Sequence, residues 1–272
     1  MAFADYIEKL QPIAATEHAT LTGCDAQWLL LTDPSEVELT AVAGSCRRLM
    51  VVRRATSGRL TLHIEQGASL TLVELYEAEA VGVTLIEQQE ESRFKATTLE
   101  LGSADAAYTV DLKGAFAASE INALFAIGAE EKSRLAIRMN HLVADCTSNS
   151  VVRGLAAGEA VGRFEGMVYV ATDAQRTDAR QQNRNMLLSD TARIDTLPQL
   201  EIYADDVKCT HGATVGQMDQ EAIYYMRQRG IDEQQARRLQ LAGFVGDLVM
   251  QCGCEELCAE LLEVLNQKLN QL

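Results

Sequence analysis

The sequence predicts a mainly β protein with a small α-helical unit at its C-terminus, and three observations lead to this prediction. From about residue 37 to residue 217, short segments alternate apolar and polar residues with a period of two. A small-residue turn followed by a strand recurs through the same region. After Gly216 the apolar residues change to the spacing of amphipathic helices. Residues 1–36 are too short for a domain of their own, so the chain divides into 1–36, 37–217 and 218–272.

The strand-like segments are rich in Val, Leu, Thr and Ala and are bounded by Gly, Asp and Ser; clear examples are residues 60–65, 69–74, 108–113, 134–142 and 166–171. The turns recur at irregular intervals, at Gly67, Gly102, Gly128, Gly158 and Asp190. Intervals of roughly 20–50 residues are typical of stacked repeats, and these fall in that range. A coil of stacked strands is therefore the simplest interpretation, and an ordinary β-sandwich is the alternative.

The C-terminal unit carries helix signals. Residues 219–230 are amphipathic and end at Gly230, a C-cap candidate. Asp232 opens a second helix with Gln235 in the capping-box position, and residues 255–272 carry leucines on one stripe. The apolar faces of these helices either pack on the β region or bind a partner.

Composition excludes several function classes. The net charge of −15, from 39 acidic and 24 basic residues, disfavours nucleic acid and anionic membrane surfaces as ligands. No segment has the roughly 20 apolar residues of a membrane helix, and the N-terminus lacks a secretory pattern. Seven scattered cysteines, an odd number, favour a reduced, cytoplasmic protein over a disulfide framework.

Cys209 and His211 are the candidate metal ligands. If their segment is a strand, the two side chains share one face, and a thiolate with an imidazole suits iron or an iron–sulfur cluster. Two ligands do not close a site, so the others would come from a partner. The alternative is an inward-facing buried row of Val207, Cys209 and His211, with the imidazole satisfied by hydrogen bonds.

Two further motifs favour structural roles. Asp205 and Asp206 resemble the carboxylate pair of a carbohydrate-active β-helix enzyme, but consecutive residues of a strand point to opposite faces, which favours a turn. Cys252, Cys254 and Cys258 lack the spacing of a zinc or ferredoxin site and are interpreted as structural thiols.

Three segments resemble the SufB/SufD family of iron–sulfur cluster assembly proteins, on the SufD side: QNRNMLLS at 182–189, ARIDTLP at 192–198 and LEIYADDVKCTHGATVGQMDQEAIYYMRQRGI at 200–231. The likeness is strong over about residues 176–250, weaker over 37–175 and absent from the short N-terminus. It implies a right-handed parallel β-helix core with a C-terminal helical domain.

The resemblance also implies partners and a site. The β-helix is expected to pair with a SufB paralogue or a second copy, and the C-terminal helices to bind the ATPase SufC through Tyr224, Tyr225, Arg227 and Arg229. Cys209 and His211 match the family's KCxHGAT pattern and are expected to bind iron or an iron–sulfur cluster at the dimer interface. The sequence has no G-x4-G-K-[ST] loop, so ATP is expected to act only through SufC.

Departures from the family pattern refine this interpretation. Where SufB-like chains carry a cysteine, this sequence has Ser189-Asp190-Thr191-Ala192-Arg193, and Gly212 replaces a Glu beside the final His. The resemblance therefore implies an accessory, SufD-type scaffold and not an enzyme.

Overall fold

The computed structural model of the chain describes residues 3–13, 18–54, 57–77 and 79–272. In this part of the chain, seventeen strands form two parallel sheets. The chain alternates between the sheets, so each strand within a sheet pairs with the strand two before it and the strand two after it, except at the two ends. The nine-stranded sheet holds β1 (Gln11–Pro12), β3 (Cys24–Thr32), β5 (Cys46–Arg53), β7 (Ser69–Tyr76), β9 (Arg93–Glu100), β11 (Ala118–Ile127), β13 (Thr147–Ala156), β15 (Asp178–Leu187) and β17 (Lys208–Gln217). The eight-stranded sheet holds β2 (His18–Leu21), β4 (Glu36–Ala41), β6 (Arg59–Ile64), β8 (Ala80–Gln88), β10 (Ala104–Leu112), β12 (Lys132–His141), β14 (Val161–Val170) and β16 (Arg193–Ile202). This confirms the predicted mainly β fold with a parallel β-helix core.

One rung of the coil is a strand from each sheet plus two turns, and its length varies. Ala118 pairs with Thr147, which pairs with Asp178, so two successive rungs differ in length. The turns identified from the sequence do not all belong to the same side of the coil. Gly67 lies between β6 and β7, on the opposite side from Gly102. The irregular recurrence is therefore partly a difference between the two sides.

Two apolar cores follow from the alternation of side chains. Inward-facing residues of both sheets fill the lumen of the β-helix. Outward-facing residues of the nine-stranded sheet, including Trp28, Leu75 and Leu124, are covered by helices. These helices are α1 (Phe3–Ile7), α2 (Gln220–Gln228), α3 (Glu233–Val249) and α4 (Glu255–Leu269), with a 3-10 turn at Met250–Cys252.

The C-terminal helices thus bury their apolar faces on the β-helix. Of the two alternatives left open by the sequence, packing on the β region or binding a partner, the structure shows the first for these apolar faces. Arg153 on β13 binds Asp247 on α3 at 2.8 Å, and Lys268 on α4 binds Glu131 at 2.6 Å. The Asp232 carboxylate caps α3 by accepting from the backbone N–H of Gln235. Among the described residues, no helix is both long and apolar enough to cross a membrane.

The predicted boundary at residue 37 needs a correction. Strands β1, β2 and β3 lie before it and belong to the two sheets, because Leu29 and Leu31 of β3 point into the lumen core. The described strands before residue 37 are therefore part of the β-helix, while α1 packs with the C-terminal helices; residues 1, 2 and 14–17 lie outside the described part. At the other boundary, β17 ends at Gln217 and α2 begins at Gln220.

Candidate functional site

Cys209 and His211 lie on β17, the last strand of the nine-stranded sheet. Cys209 is in register with Ala179 of β15, and His211 is in register with Gln181. Ala179 and Gln181 are buried while Arg180 between them is exposed, so the first two point into the lumen. Cys209 and His211 therefore share the inward face of β17, as the sequence predicted.

The two side chains differ in burial, although both lie on β17, the last described strand of its sheet. Cys209 is half-buried against the lumen core. Burial raises the pKa of its thiol, since the thiolate loses hydration, and a backbone hydrogen bond from Ala179 only partly offsets this. His211 is exposed. The alternative of a buried, hydrogen-bonded histidine is therefore wrong.

His211 borders an open groove of about 420 Å³ on the outer face of this end of the sheet, where Arg180, Gln182 and Thr210 also line it. The thiol and imidazole are suitable donors for a soft metal such as iron. Within the described residues, however, no three His, Cys, Asp or Glu side chains are grouped closely enough to hold a metal ion. The donor types fit iron, but their number makes this half a site.

The last rung also presents a free backbone edge. Among the described strands, β17 pairs only with β15, so one side of a ten-residue strand has unpaired N–H and C=O groups. Large apolar side chains around this end are exposed as well: Leu197, Ile202, Tyr203 and Val215. An open edge beside exposed apolar residues is the kind of surface that another chain covers.

Helix α2 presents a second surface. Tyr224 and Tyr225 are 63% and 59% exposed, so they do not pack on the β core. The guanidinium of Arg229 lies 4.9 Å from the ring centroid of Tyr225, while Arg227 forms an ion pair with Glu233 at 3.2 Å. The helix is held instead by Ile223, which is buried beneath it. All four predicted partner-binding residues are thus exposed, on α2 or at its C-terminal end.

The three C-terminal cysteines require a correction. Cys252 and Cys258 form a disulfide, so the expectation of reduced thiols is wrong for this pair. The reason is local geometry: Gly253 adopts a left-handed conformation, with φ of 79°, and turns the chain back into α4. This brings the two Cα atoms to 6.1 Å, within the usual range for a disulfide. Cys254 remains a free thiol at the N-cap of α4.

The remaining sequence candidates do not form catalytic groups. Asp205 and Asp206 are exposed in the turn between β16 and β17, where the Asp206 carbonyl accepts the Arg176 N–H at 2.6 Å. His63 lies between Glu38, at 2.8 Å, and Glu87, at 3.2 Å, on the outer face of the eight-stranded sheet. Sequence reasoning missed this ladder because its members come from three separate strands, β4, β6 and β8.

Sequence reasoning also missed a buried polar cluster in the lumen. The Glu74 carboxylate binds the Arg53 guanidinium and accepts the Tyr108 hydroxyl at 2.5 Å. Glu100 lies nearby and accepts the Ser133 hydroxyl. Burial raises the pKa of Glu100 to about 8, and the Ser133 hydrogen bond opposes that rise. The cluster is buried, so its contacts affect the stability of the β-helix, and a ligand outside the lumen does not reach them.

Replacing Glu100 by glutamine is expected to remove a pH dependence of stability. In the unfolded chain this carboxyl ionises near pH 4.5, whereas in the folded chain it holds its proton up to about pH 8. The folded state therefore binds the extra proton, and the free energy of unfolding falls as the pH rises between these values. Glu100→Gln should leave stability near pH 4 unchanged and raise it at pH 9 by on the order of a few kcal/mol. Urea unfolding at pH 5, 7 and 9 tests this, and parallel pH profiles for the variant and wild type would contradict it.

Comparison with known proteins gives a consistent family assignment. The family model for the SUF system FeS cluster assembly SufBD core domain matches residues 34–244. The chain is 39% identical over 131 residues to the iron–sulfur cluster assembly protein SufD of Escherichia coli, which covers 48% of this chain and 31% of that protein. It is 33% identical over 175 residues to a SufBD family protein of Synechocystis, which covers 63% of this chain and 38% of that protein. Identity to SufD of Bacillus subtilis is 34% over 115 residues, or 42% of this chain and 26% of that protein. The matched part thus spans well under half the length of these relatives.

Proposed function

Because the chain belongs to the SufB/SufD family, we propose that it is a SufD-type scaffold subunit of the SUF iron–sulfur assembly machinery. In this role it joins a SufB paralogue and the ATPase SufC, and it assists iron entry or cluster assembly where the two β-helices meet. The chain itself is a non-hydrolytic, cytoplasmic component. Iron and the growing cluster are its cargo, and ATP acts only through SufC.

One observation carries this proposal: Cys209 and His211 face inward on the last rung, where the coil is open. The site has suitable donors but too few of them, and it stands beside a free strand edge. A second β-helix that pairs with β17 would cover the exposed end and supply the missing ligands in the same step. Because burial raises the pKa of Cys209, iron binding releases a proton and strengthens as the pH rises.

The helical unit is suited to transmit movement to this site. Only Met218 and Asp219 separate β17 from α2, so a force on α2 acts directly on the strand that carries Cys209 and His211. We assign the exposed surface of Tyr224, Tyr225, Arg227 and Arg229 to the contact with SufC, since aromatic and arginine side chains are frequent interface anchors. ATP-driven dimerisation of SufC would then pull two helical units together and open the β-helix interface around the ligands.

His211→Ala is expected to abolish most iron–sulfur maturation while the complex still assembles. The exposed imidazole contributes a ligand and no packing, so its removal leaves the fold intact. The measurement is co-purification with SufB and SufC, followed by anaerobic iron and sulfide analysis; we expect at least a tenfold loss of cluster, in line with the loss of a metal ligand. His63→Ala, the same substitution on the outer face of the other sheet, is the matched control.

Two results would count against the proposal. Maturation by His211→Ala at the wild-type level would remove the site assignment. Isolation of the chain as a homodimer that matures clusters without SufB would replace the heterodimer with a self-sufficient scaffold, which can use the same strand edge.

A further inference from the structure

A polar row runs inward from His211 along one register position of the nine-stranded sheet. His211 is paired with Gln181 of β15, Gln181 with Ser150 of β13, and Ser150 with Ile121 of β11. All four positions face the lumen. The row is therefore polar over three rungs, counting His211 at the open end, and becomes apolar at Ile121.

The two inner members of the row are buried without hydrogen bonds. Gln181 is 3% exposed and Ser150 is 1% exposed. Among the described residues, neither the Oε1 nor the Nε2 atom of Gln181 has a partner, and the same holds for the Ser150 hydroxyl. Each unpaired buried group costs roughly 1–3 kcal/mol. Apolar side chains would suit these positions better if they served only packing, as Ile121 does one rung further in.

The opposite wall of the lumen makes room for the Gln181 amide. A Cβ atom added to Gly166 of β14 would lie 2.4 Å from Gln181 Oε1 and 2.5 Å from Nε2. A glycine at this facing position is thus required for the amide to occupy its place. Gln181 and His211 are register partners on neighbouring strands, so their side chains leave the sheet next to each other on the lumen side.

Neighbouring strands are about 4.8 Å apart, a distance that side chains stacked in register can bridge with a hydrogen bond. A histidine that binds metal through one ring nitrogen nearly always donates its other N–H to a carbonyl or carboxylate, which fixes the ring and its tautomer. His211 has no such acceptor in its exposed position. The only unpaired carbonyl oxygen of a buried side chain beside it, among the described residues, is that of Gln181.

We propose that Gln181 is the positioning residue for His211, an inference that rests on the proposed function of the Cys209–His211 half-site. When a metal binds, Gln181 Oε1, which is unpaired in this structure, accepts the N–H of one imidazole nitrogen, and the other nitrogen is left for the metal at the open end. In that bound state the amide N–H of Gln181 donates to the hydroxyl of Ser150, its register partner on β13, which is also unpaired in this structure, and this bond holds the amide in place. The row thus converts an exposed imidazole into an oriented ligand.

The test compares Gln181→Leu with Gln182→Leu in the full chain. Gln182 is the neighbouring residue of the same type on the outer, exposed face of β15 and is the matched control. The probe is Zn²⁺, which is diamagnetic and therefore suits NMR. The part of the Zn²⁺ binding that is lost in His211→Ala is assigned to the His211 site. The ¹⁵N chemical shifts of the imidazole report its tautomer. Gln181→Leu should weaken this binding by about tenfold or more and remove the single tautomer, whereas Gln182→Leu should change neither. Gln181→Glu, which keeps an acceptor, should retain most of both.

Thermal unfolding separates positioning from a structural role. Gln181→Leu removes unpaired buried atoms, so its Tm should equal or exceed that of wild type while Zn²⁺ binding falls. Wild-type affinity and an unchanged tautomer in Gln181→Leu would overturn the inference, as would Zn²⁺ binding that His211→Ala does not reduce.

The maturation assay distinguishes this inference from the proposed function. If Gln181→Leu alters the tautomer and affinity but His211→Ala matures clusters normally, the positioning role stands and the function fails. If His211→Ala loses maturation while Gln181→Leu binds Zn²⁺ and matures clusters as wild type does, the function stands and the positioning role fails.

Discussion

Glu74→Leu is expected to lower the free energy of unfolding by about 3–5 kcal/mol, because it leaves a buried guanidinium without its counter-ion. Arg53 is 2% exposed and Glu74 is fully buried, and the two form a direct ion pair inside the lumen. An arginine cannot lose its charge by deprotonation at any pH near neutrality. The substitution also removes the carboxylate that accepts from the Tyr108 hydroxyl, which then keeps only its hydrogen bond with the Thr98 hydroxyl. Both costs arise in the same sealed cluster, where no water replaces the carboxylate.

Urea unfolding at pH 7 measures this effect, and the chain offers two comparisons. Glu77→Leu breaks the neighbouring pair with Arg54, whose side chains are half-exposed, and should cost less than about 1 kcal/mol. The double variant Arg53→Met with Glu74→Leu removes both charges and should recover much of the loss. A Glu74→Leu variant as stable as Glu77→Leu would show that the buried pair contributes little.

Local patterns were sufficient to predict the strands of the β-helix. The alternating segments at 60–65 and 69–74 correspond to β6 and β7, whose inward residues fill the lumen. This succeeds because burial on one face leaves a period of two in a short segment. The stacking of these strands was harder to predict, since successive rungs differ in length and the turns on the two sides have different spacings.

The candidate site, like the fold, could be predicted from the sequence only in part. Cys209 and His211 are two residues apart in one strand, so their shared face follows from the sequence. The exposure of His211 does not, because it depends on β17 being the last strand of its sheet. Gln181 and Ser150 could not be assigned to the site either, since each joins the row through a pairing with a strand one full rung away, and the turn lengths decide that pairing.

Because the turns decide how the strands pair, a substitution at a tightly packed turn should destabilise the stacking of the rungs, and Gly114 lies in such a turn. After β10 the chain passes so close to the preceding rung that a Cβ atom on Gly114 would lie 1.9 Å from the backbone nitrogen of Glu90. The Gly114 N–H donates to the Gln88 carbonyl at 3.1 Å, which fixes this approach. Backbone atoms cannot rotate away as a flexible side chain can, so one of the two turns must move.

Gly114→Ala is therefore expected to destabilise the protein by about 2–4 kcal/mol, as overpacking against backbone does. The matched control is the same substitution in α3: a Cβ atom on Gly243 would meet no atom within 4 Å, and the residue is exposed. Gly243→Ala should stabilise the protein by about 0.5–1 kcal/mol, because alanine loses less backbone freedom in a helix. Urea unfolding of both variants tests the pair. Equal effects of the two substitutions would mean that the turn at Gly114 accommodates an extra methyl group as easily as an exposed helix position does. The close packing of this turn would then not be what holds the strand register on which the row behind His211 depends.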